Sequence, residues 1–257
     1  MPQFFVPAEC ISDGFFHLKG PEAHHLVRVM RYGPMDVLEI FDGKGKKYLA
    51  RLDRILGTRE VEGTILSEVG GVSPRYAVGL YFALVSREKV EEILEKGTEI
   101  GVSYFCPLLT ERTGIKLRSE SKKSKLERWR QIILAACKQS GRPLLPPIVA
   151  PVSLDKAFGS SSQDLVREMS YSPGREVFSL VAWEREKSYT IQTALQDIKT
   201  RMAEGSEIRL FIGPEGGFTE AEIDSAKNQE IRPVSLGPCT LRSETAALVA
   251  SSLLLLS

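Results

Sequence analysis

From residue 76 onward, unbroken apolar runs alternate with segments whose apolar positions recur every three to four residues, a rhythm of strand then helix. Tyr76 to Leu84 is a continuous apolar strand, and Val90, Ile93, Leu94 and Gly97 fall at i, i+3, i+4 and i+7 on one helix face. Ser103 to Leu109 reads as the next strand. Ser121 to Ser140 reads as a helix with Leu126, Trp129, Ile133, Ala136 and Cys137 inward, stopped by Gly141 and Pro143. Strands at Glu176 to Glu184, Glu207 to Ile212 and Arg232 to Leu236 then alternate with helices at Thr190 to Ala203, Thr219 to Asn228 and Ser243 to Leu256. Such alternation predicts an α/β domain with a mostly parallel sheet covered by helices on both faces.

The first seventy residues follow a different pattern, with short strands at Phe4 to Val6, Phe15 to Leu18, Val37 to Phe41, Lys47 to Ile55 and Gly63 to Val69. Asp42-Gly43-Lys44-Gly45 is a hairpin signal, because glycine accepts the positive φ that tight turns require. One helix over Pro21 to Met30 interrupts the set, and a small β-barrel is expected. The patterns change at Gly70-Gly71-Val72-Ser73-Pro74, which predicts domains over residues 1–72 and 73–257. The serine-rich stretch Phe158 to Gly174 reads as a surface loop.

Composition narrows the class. The 257 residues are 42% hydrophobic, enough for buried cores. No N-terminal stretch has the makeup of a secretion signal and no apolar run reaches the roughly 20 residues of a bilayer span, so no membrane association is expected. The four cysteines, Cys10, Cys106, Cys137 and Cys239, form no C-x-x-C pair, and there are only three histidines. Neither a disulfide framework nor a metal site is expected, and a reducing cytoplasm fits. The net charge is only +1, but Arg112 to Arg142 holds ten Lys or Arg against Glu120 and Glu127. That segment is net +8 and leaves the rest at −7. The run suits RNA phosphates, or is simply a solvated helix face.

The chemistry points to two loops. Gly213-Pro214-Glu215-Gly216-Gly217 leaves a predicted strand, and Thr219-x-x-Glu222 then forms a capping box, giving strand, loop and helix. Helix N-termini attract anions. Neither G-x-x-x-x-G-K-[ST] nor G-x-G-x-x-G is present, however, and Glu215 would repel a polyphosphate. A neutral or cationic nucleoside ligand such as S-adenosylmethionine fits better; the bland alternative is a turn that needs glycine. Leu236-Gly237-Pro238-Cys239-Thr240-Leu241-Arg242-Ser243-Glu244-Thr245-Ala246 is a second strand-to-helix loop, and parallel strands would bring both to one sheet edge.

IGPEGGF followed by LGPCTLRSETA closely resembles the RsmE family of small-subunit ribosomal RNA methyltransferases, within the SPOUT superfamily. His24-His25-Leu26 with Val29-Met30-Arg31, Phe41 to Gly45, Lys96 to Val102, Thr110 to Thr113, and Glu127 to Arg142 resemble further family motifs in the same order. The likeness covers nearly the whole chain. Where the family usually carries Arg-Ile after LGP, Cys239-Thr240 stands here.

The resemblance implies a PUA-like RNA-binding barrel followed by a SPOUT domain with a deep trefoil knot, which binds S-adenosylmethionine and dimerises. Threaded chains are nearly absent among folds, so no pattern of residues predicts the knot. It also implies a homodimer that methylates N3 of a uridine near the decoding region of 16S ribosomal RNA, with no metal and no DNA partner. Cofactor contacts are expected from Ile212, Gly213, Pro214, Glu215, Gly216, Leu236, Gly237, Thr240, Leu241, Arg242, Thr245 and Ala246. Arg112 and Arg242 are the candidates for stabilising a uridinate, with salt bridges to Glu111 or Glu244 as their plainer alternative. Glu99 and Glu215 are candidates for base or orienting group. Arg28, Arg31, Lys44, Lys46, Lys122, Lys123, Arg128 and Arg142 are the candidate RNA contacts. Three rival readings stay open: a non-catalytic assembly factor, a methyltransferase for another RNA uridine, and a nucleotide-dependent enzyme using the glycine loop for phosphates.

Overall fold

A computed structural model describes residues 3–70, 76–114, 119–159 and 176–256, with only the backbone of residues 119–122. The chain forms two compact units, Met1–Ser73 with Leu134–Leu145, and Pro74–Ile133 with Pro146–Ser257.

The first unit is built on β1 (Gln3–Phe5), β2 (Ile11–Ser12), β3 (Phe15–Lys19), β4 (Val37–Phe41), β5 (Lys47–Ile55) and β6 (Glu60–Glu68). They form one sheet in the order β1-β4-β5-β6-β3-β2, antiparallel except for the β1–β4 pair. Alternating positions such as Phe16, Leu18, Leu38, Ile40, Ala50 and Leu52 fill its core. Register shifts at Leu49/Ala50 and Leu52/Arg54 bend β5 against β6. The predicted hairpin forms between β4 and β5: Asp42 Oδ1 accepts the N–H groups of Lys44 and Lys46 at 2.7 and 3.0 Å. Gly43 and Gly45 there have φ of 75° and 105°.

The single helix expected over Pro21 to Met30 is instead α1 (Pro21–His24) running into a π-turn over His25–Val29. Met30 N–H reaches back five residues to the His25 carbonyl at 3.0 Å, a wider turn than sequence periodicity distinguishes. Residues 134–145 pack within this unit, where Lys138 Nζ meets both carboxylate oxygens of Glu22 at 2.8 and 3.0 Å.

In the second unit, β7 (Ala77–Ala83), β8 (Tyr104–Leu109), β9 (Val152–Ser153), β10 (Val177–Ala182), β11 (Glu207–Ile212) and β12 (Arg232–Val234) make one all-parallel sheet in the order β12-β10-β11-β7-β8-β9. The predicted parallel α/β architecture is therefore what the chain adopts. Its helices are α2 (Arg87–Ile100), α3 (Ser119–Ser140) as far as Ile133, α4 (Leu154–Phe158), α5 (Ile191–Lys199), α6 (Glu220–Asn228) and α7 (Ser243–Leu255). Periodicity missed β9 and α4, which are too short for a period to show. The expected linker falls mostly in residues 71–75, and the serine-rich loop mostly in 160–175, both outside the described residues.

Strand β11 is anchored by polar contacts inside the core. Glu207, fully buried, accepts Tyr104 Oη at 2.6 Å and Arg209 Nε at 2.7 Å. Buried charges persist only when paired in this way. The register Phe82↔Ile212 and Val181↔Phe211 aligns the ends of β7, β10 and β11, so the loops that leave them share one sheet edge.

Candidate functional site

Three adjacent strands, β12, β10 and β11, deliver their C-terminal loops to one cleft of about 160 Å3. Open parallel sheets bind ligands at this edge. The loop after β11 contributes Ile212, Gly213, Pro214, Glu215, Gly216 and Gly217. The loop after β12 contributes Ser235, Leu236, Gly237, Cys239, Thr240 and Leu241, and the start of α7 adds Ser243 and Ala246. Ser243 Oγ donates to the Gly213 carbonyl at 2.7 Å and ties the two walls together.

The third wall, Ala182, Trp183, Glu184 and Lys187, was not legible in the sequence. It comes from the loop after β10, and only the strand order shows that β10 lies between the other two. Glu186 fixes this loop: its Oε1 accepts Ser188 N–H at 2.8 Å, Ser188 Oγ at 2.7 Å and Tyr189 N–H at 3.0 Å. Those bonds, the Ser188 hydroxyl first, hold its carboxyl at about 2. Gly217 has φ of 68°, a conformation that favours glycine, and it faces Glu184, whose Oε1 would stand 2.8 Å from a Cβ there.

Of the predicted cofactor residues, Arg242 and Thr245 are exposed and outside the cleft lining, while the other ten line it. Arg242 serves as N-cap of α7, its carbonyl accepting Ala246 N–H at 2.8 Å.

The candidate catalytic groups separate. Arg112 Nη1 donates to the Gly216 carbonyl at 2.5 Å, which holds a guanidinium against the glycine loop. Its own loop is docked by Glu222, whose Oε1 accepts the Glu111 N–H at 2.8 Å while Oε2 accepts the Thr219 N–H at 2.8 Å in the predicted capping box. Glu215 meets Lys89 Nζ, from the first turn of α2, at 3.0 Å, and Lys89 lies 3.4 Å from Glu244 Oε2. Burial alone would raise the Glu215 carboxyl, but its own backbone N–H and the Lys89 ammonium outweigh this and leave it below its usual range. Glu99 stands on α2 beside Lys96 at 3.0 Å and is not part of the cleft lining.

The candidate RNA contacts are spread over both units. Arg28, Arg31, Lys44 and Lys123 are exposed, Lys46 is exposed beside Glu68 at 3.2 Å, and Arg142 is half-buried. Arg128 grips Glu91 through two hydrogen bonds of 2.6 and 2.8 Å. The side chain of Lys122 lies outside the described residues.

The cleft suits a nucleoside with a cationic tail better than a polyphosphate. Ile212, Leu236, Leu241 and Ala246 give apolar walls, and the carboxylates of Glu184 and Glu215 outnumber the one ammonium in the lining, that of Lys187, which donates to the Glu184 carbonyl at 2.8 Å. Among the described residues no group of His, Cys, Asp or Glu is arranged to hold a metal ion, and no helix is long and apolar enough to cross a membrane.

Fold and cleft define an RNA methyltransferase architecture: residues 72–255 match the RNA methyltransferase domain family, and residues 18–66 match the RNA methyltransferase PUA domain. The ribosomal RNA small subunit methyltransferase E of Synechocystis sp. is 34% identical over 95% of this chain and 74% of its own length. That of Bacillus subtilis is 30% identical over 92% of this chain and 88% of its own. The crystal structure of the Neisseria gonorrhoeae enzyme of the same name, bound to S-adenosyl methionine, superposes with a TM-score of 0.80 at 28% identity, covering 98% of this chain and 95% of that one. The chain belongs to the ribosomal RNA small subunit methyltransferase E family.

Proposed function

We propose that this protein transfers the methyl group of S-adenosylmethionine to N3 of a uridine in 16S ribosomal RNA of the small subunit. The observation that carries the reading is the convergence of three strand-end loops on one cleft with apolar walls and two carboxylates, in a chain of this family. The Neisseria relative, captured with S-adenosyl methionine, supports the choice of ligand.

When bound, S-adenosylmethionine supplies an electrophilic methyl on a sulfonium that departs as a neutral thioether. Uridine N3 must lose its proton to attack, and the charge spreads onto O2 and O4. Arg112 uses one N–H on Gly216 and keeps other donors for those oxygens, which stabilises the uridinate electrostatically. Arginine cannot take the proton. Glu215, held ionised by Lys89, is a weak base and acts as an orienting group, so the proton leaves to water. Arg112, Arg242 and Glu99 all lie outside the cleft lining, but Arg112 bonds the glycine loop, whereas Arg242 and Glu99 are assigned no part in the transfer.

Residues 1–72 serve as the RNA-docking domain and residues 73–257 as the catalytic one, whose chain threads a trefoil knot. A cytoplasmic homodimer uses α7, which buries Ala247, Ala250 and Leu254 but leaves Val249 exposed, as is Leu256 just beyond its end.

The test incubates the purified protein and labelled S-adenosylmethionine with small-subunit RNA from cells lacking it. Nuclease digestion and mass spectrometry are expected to find one new methyl on a uridine. RNA binding without cofactor binding by calorimetry would instead mark a non-catalytic assembly factor.

A further inference from the structure

A second concavity, of about 420 Å3, opens between α2 and α3, separate from the cofactor cleft. Its floor is Leu84, Val85, Val90 and Trp129, each at most 5% exposed. Its rim is Arg87, Glu91, Lys125 and Arg128. Glu91 is held between the guanidinium groups of Arg128, through two bonds of 2.6 and 2.8 Å, and Arg87 at 2.8 Å. These contacts, Arg128 first, hold the Glu91 carboxyl at about 2. Glu91 therefore stays ionised and orients two guanidinium planes while cancelling only one of three cationic charges. The rim is net positive over an apolar floor.

The position of the groove restricts its occupant. Leu84 and Val85 directly follow β7 at the sheet edge that carries the cofactor loops, and Phe82 pairs with Ile212 on the strand leading into Gly213. Lys89, in the same helical turn as Arg87, reaches Glu215 of the glycine loop at 3.0 Å. Groove and cleft are thus neighbours, yet among the described residues they share no wall residue. A base undergoing methylation must enter the cofactor cleft, so an RNA base in the groove would belong to a nucleotide beside it on the strand.

We propose that this groove is a nucleotide subsite that takes a base flanking the methyl acceptor on its apolar floor, with the adjoining phosphate on Arg87, Lys125 and Arg128. The idea rests on the proposed RNA methyl transfer. Charge complementarity argues for RNA, because phosphate neutralisation by Lys and Arg dominates its affinity and splayed bases seek apolar or aromatic surfaces. Glu91 fixes the two guanidinium groups in place, and oriented guanidinium groups lose less entropy on gripping a phosphate.

The experiment compares wild type, Lys125→Glu and, as a control for general electrostatics, Lys199→Glu, whose residue is exposed on α5 and outside the groove. Methyl transfer to small-subunit RNA, calorimetric binding of S-adenosylmethionine, and photo-crosslinking of the same RNA carrying 4-thiouridine are measured. Lys125→Glu is expected to raise KM for RNA by about 10-fold, with kcat and cofactor affinity changed less than about twofold. Lys199→Glu should raise KM less than about threefold, and crosslinks should map to residues 84–91 or 124–129. Equal effects of the two substitutions, or crosslinks only elsewhere, would overturn the subsite. A Lys125→Glu protein whose dimer dissociates would also overturn it and make the groove a contact between copies of this chain. Absence of methyl transfer by the wild type would sink the proposed function instead, and the groove would then be judged by RNA retention on filters and by the crosslinks.

Discussion

The Arg112 guanidinium lies against the Gly216 carbonyl, 2.5 Å from Nη1 to oxygen, so a side chain from the loop after β8 reads the conformation of the glycine loop after β11. A Cβ at Gly216 would come 3.3 Å from Arg112 Cδ, which makes this approach one that glycine permits. Arg112→Ala is expected to lower kcat by about 10²–10³, the loss typical of one electrostatic stabiliser, with cofactor affinity within about threefold. Thermal melting confirms the fold, and single-turnover kinetics reads the chemical step. Undiminished turnover in a folded variant would remove Arg112 from the mechanism.

Glu222 couples stability to that arrangement. It closes the capping box on Thr219 and accepts the Glu111 N–H, one residue before Arg112. Glu222→Ala should cost about 1–2 kcal/mol in denaturant unfolding and also lower kcat by misplacing Arg112. Glu222→Gln, which keeps an acceptor and can fill a capping box, should recover most of both. Stability lost without any change in kcat would show that the Glu111 contact has no part in holding Arg112.

The glycine loop, the second loop and the parallel sheet were legible because their signals are local: a capping box, glycines after apolar runs, and a strand–helix rhythm. The wall from β10 was not, because strand order is set by long-range pairing, and nothing near Trp183 or Glu184 announces that β10 sits between β11 and β12. Arg242 shows the converse limit. Its place in the LRSET stretch suggested a ligand contact, but at an N-cap its backbone faces the helix while its side chain stays exposed. The pairing of Glu215 with Lys89, 126 residues away, was equally invisible, and it turns a candidate base into a fixed charge.

The β10 loop carries a pH dependence of its own. The Glu186 carboxyl is held at about 2 by the Ser188 hydroxyl and the N–H groups of Tyr189 and Ser188, against 4.5 for an unperturbed glutamate. Because the folded value is the lower one, its contribution to stability is complete above about pH 4.5 and is lost as pH falls towards 2. The stability gap between wild type and Glu186→Ala should therefore be largest near neutrality and vanish towards pH 2, followed by urea midpoints. The same substitution should weaken cofactor binding at neutral pH, because Glu184 and Lys187 flank the residue that is lost. A gap independent of pH would mean that the charge of Glu186 does not hold the loop.

Cys239 offers a direct reading of where the cofactor sits. It is exposed and lines the cleft. Cys106 and Cys137 are buried, and burial pushes both thiols up, Cys137 to about 12, so neither presents a thiolate to a reagent. Alkylation by iodoacetamide, mapped by peptide mass spectrometry, should strike Cys239 and spare those two. Saturating S-adenosylhomocysteine should slow the reaction at Cys239 by about 10-fold or more, since a site occupied nearly all the time is open only in its small free fraction. ATP at the same concentration should give no protection, because the two carboxylates of the cleft lining outnumber its one ammonium, Lys187. Protection by ATP and not by S-adenosylhomocysteine would restore the phosphate reading of the glycine loop and overturn the methyltransferase one.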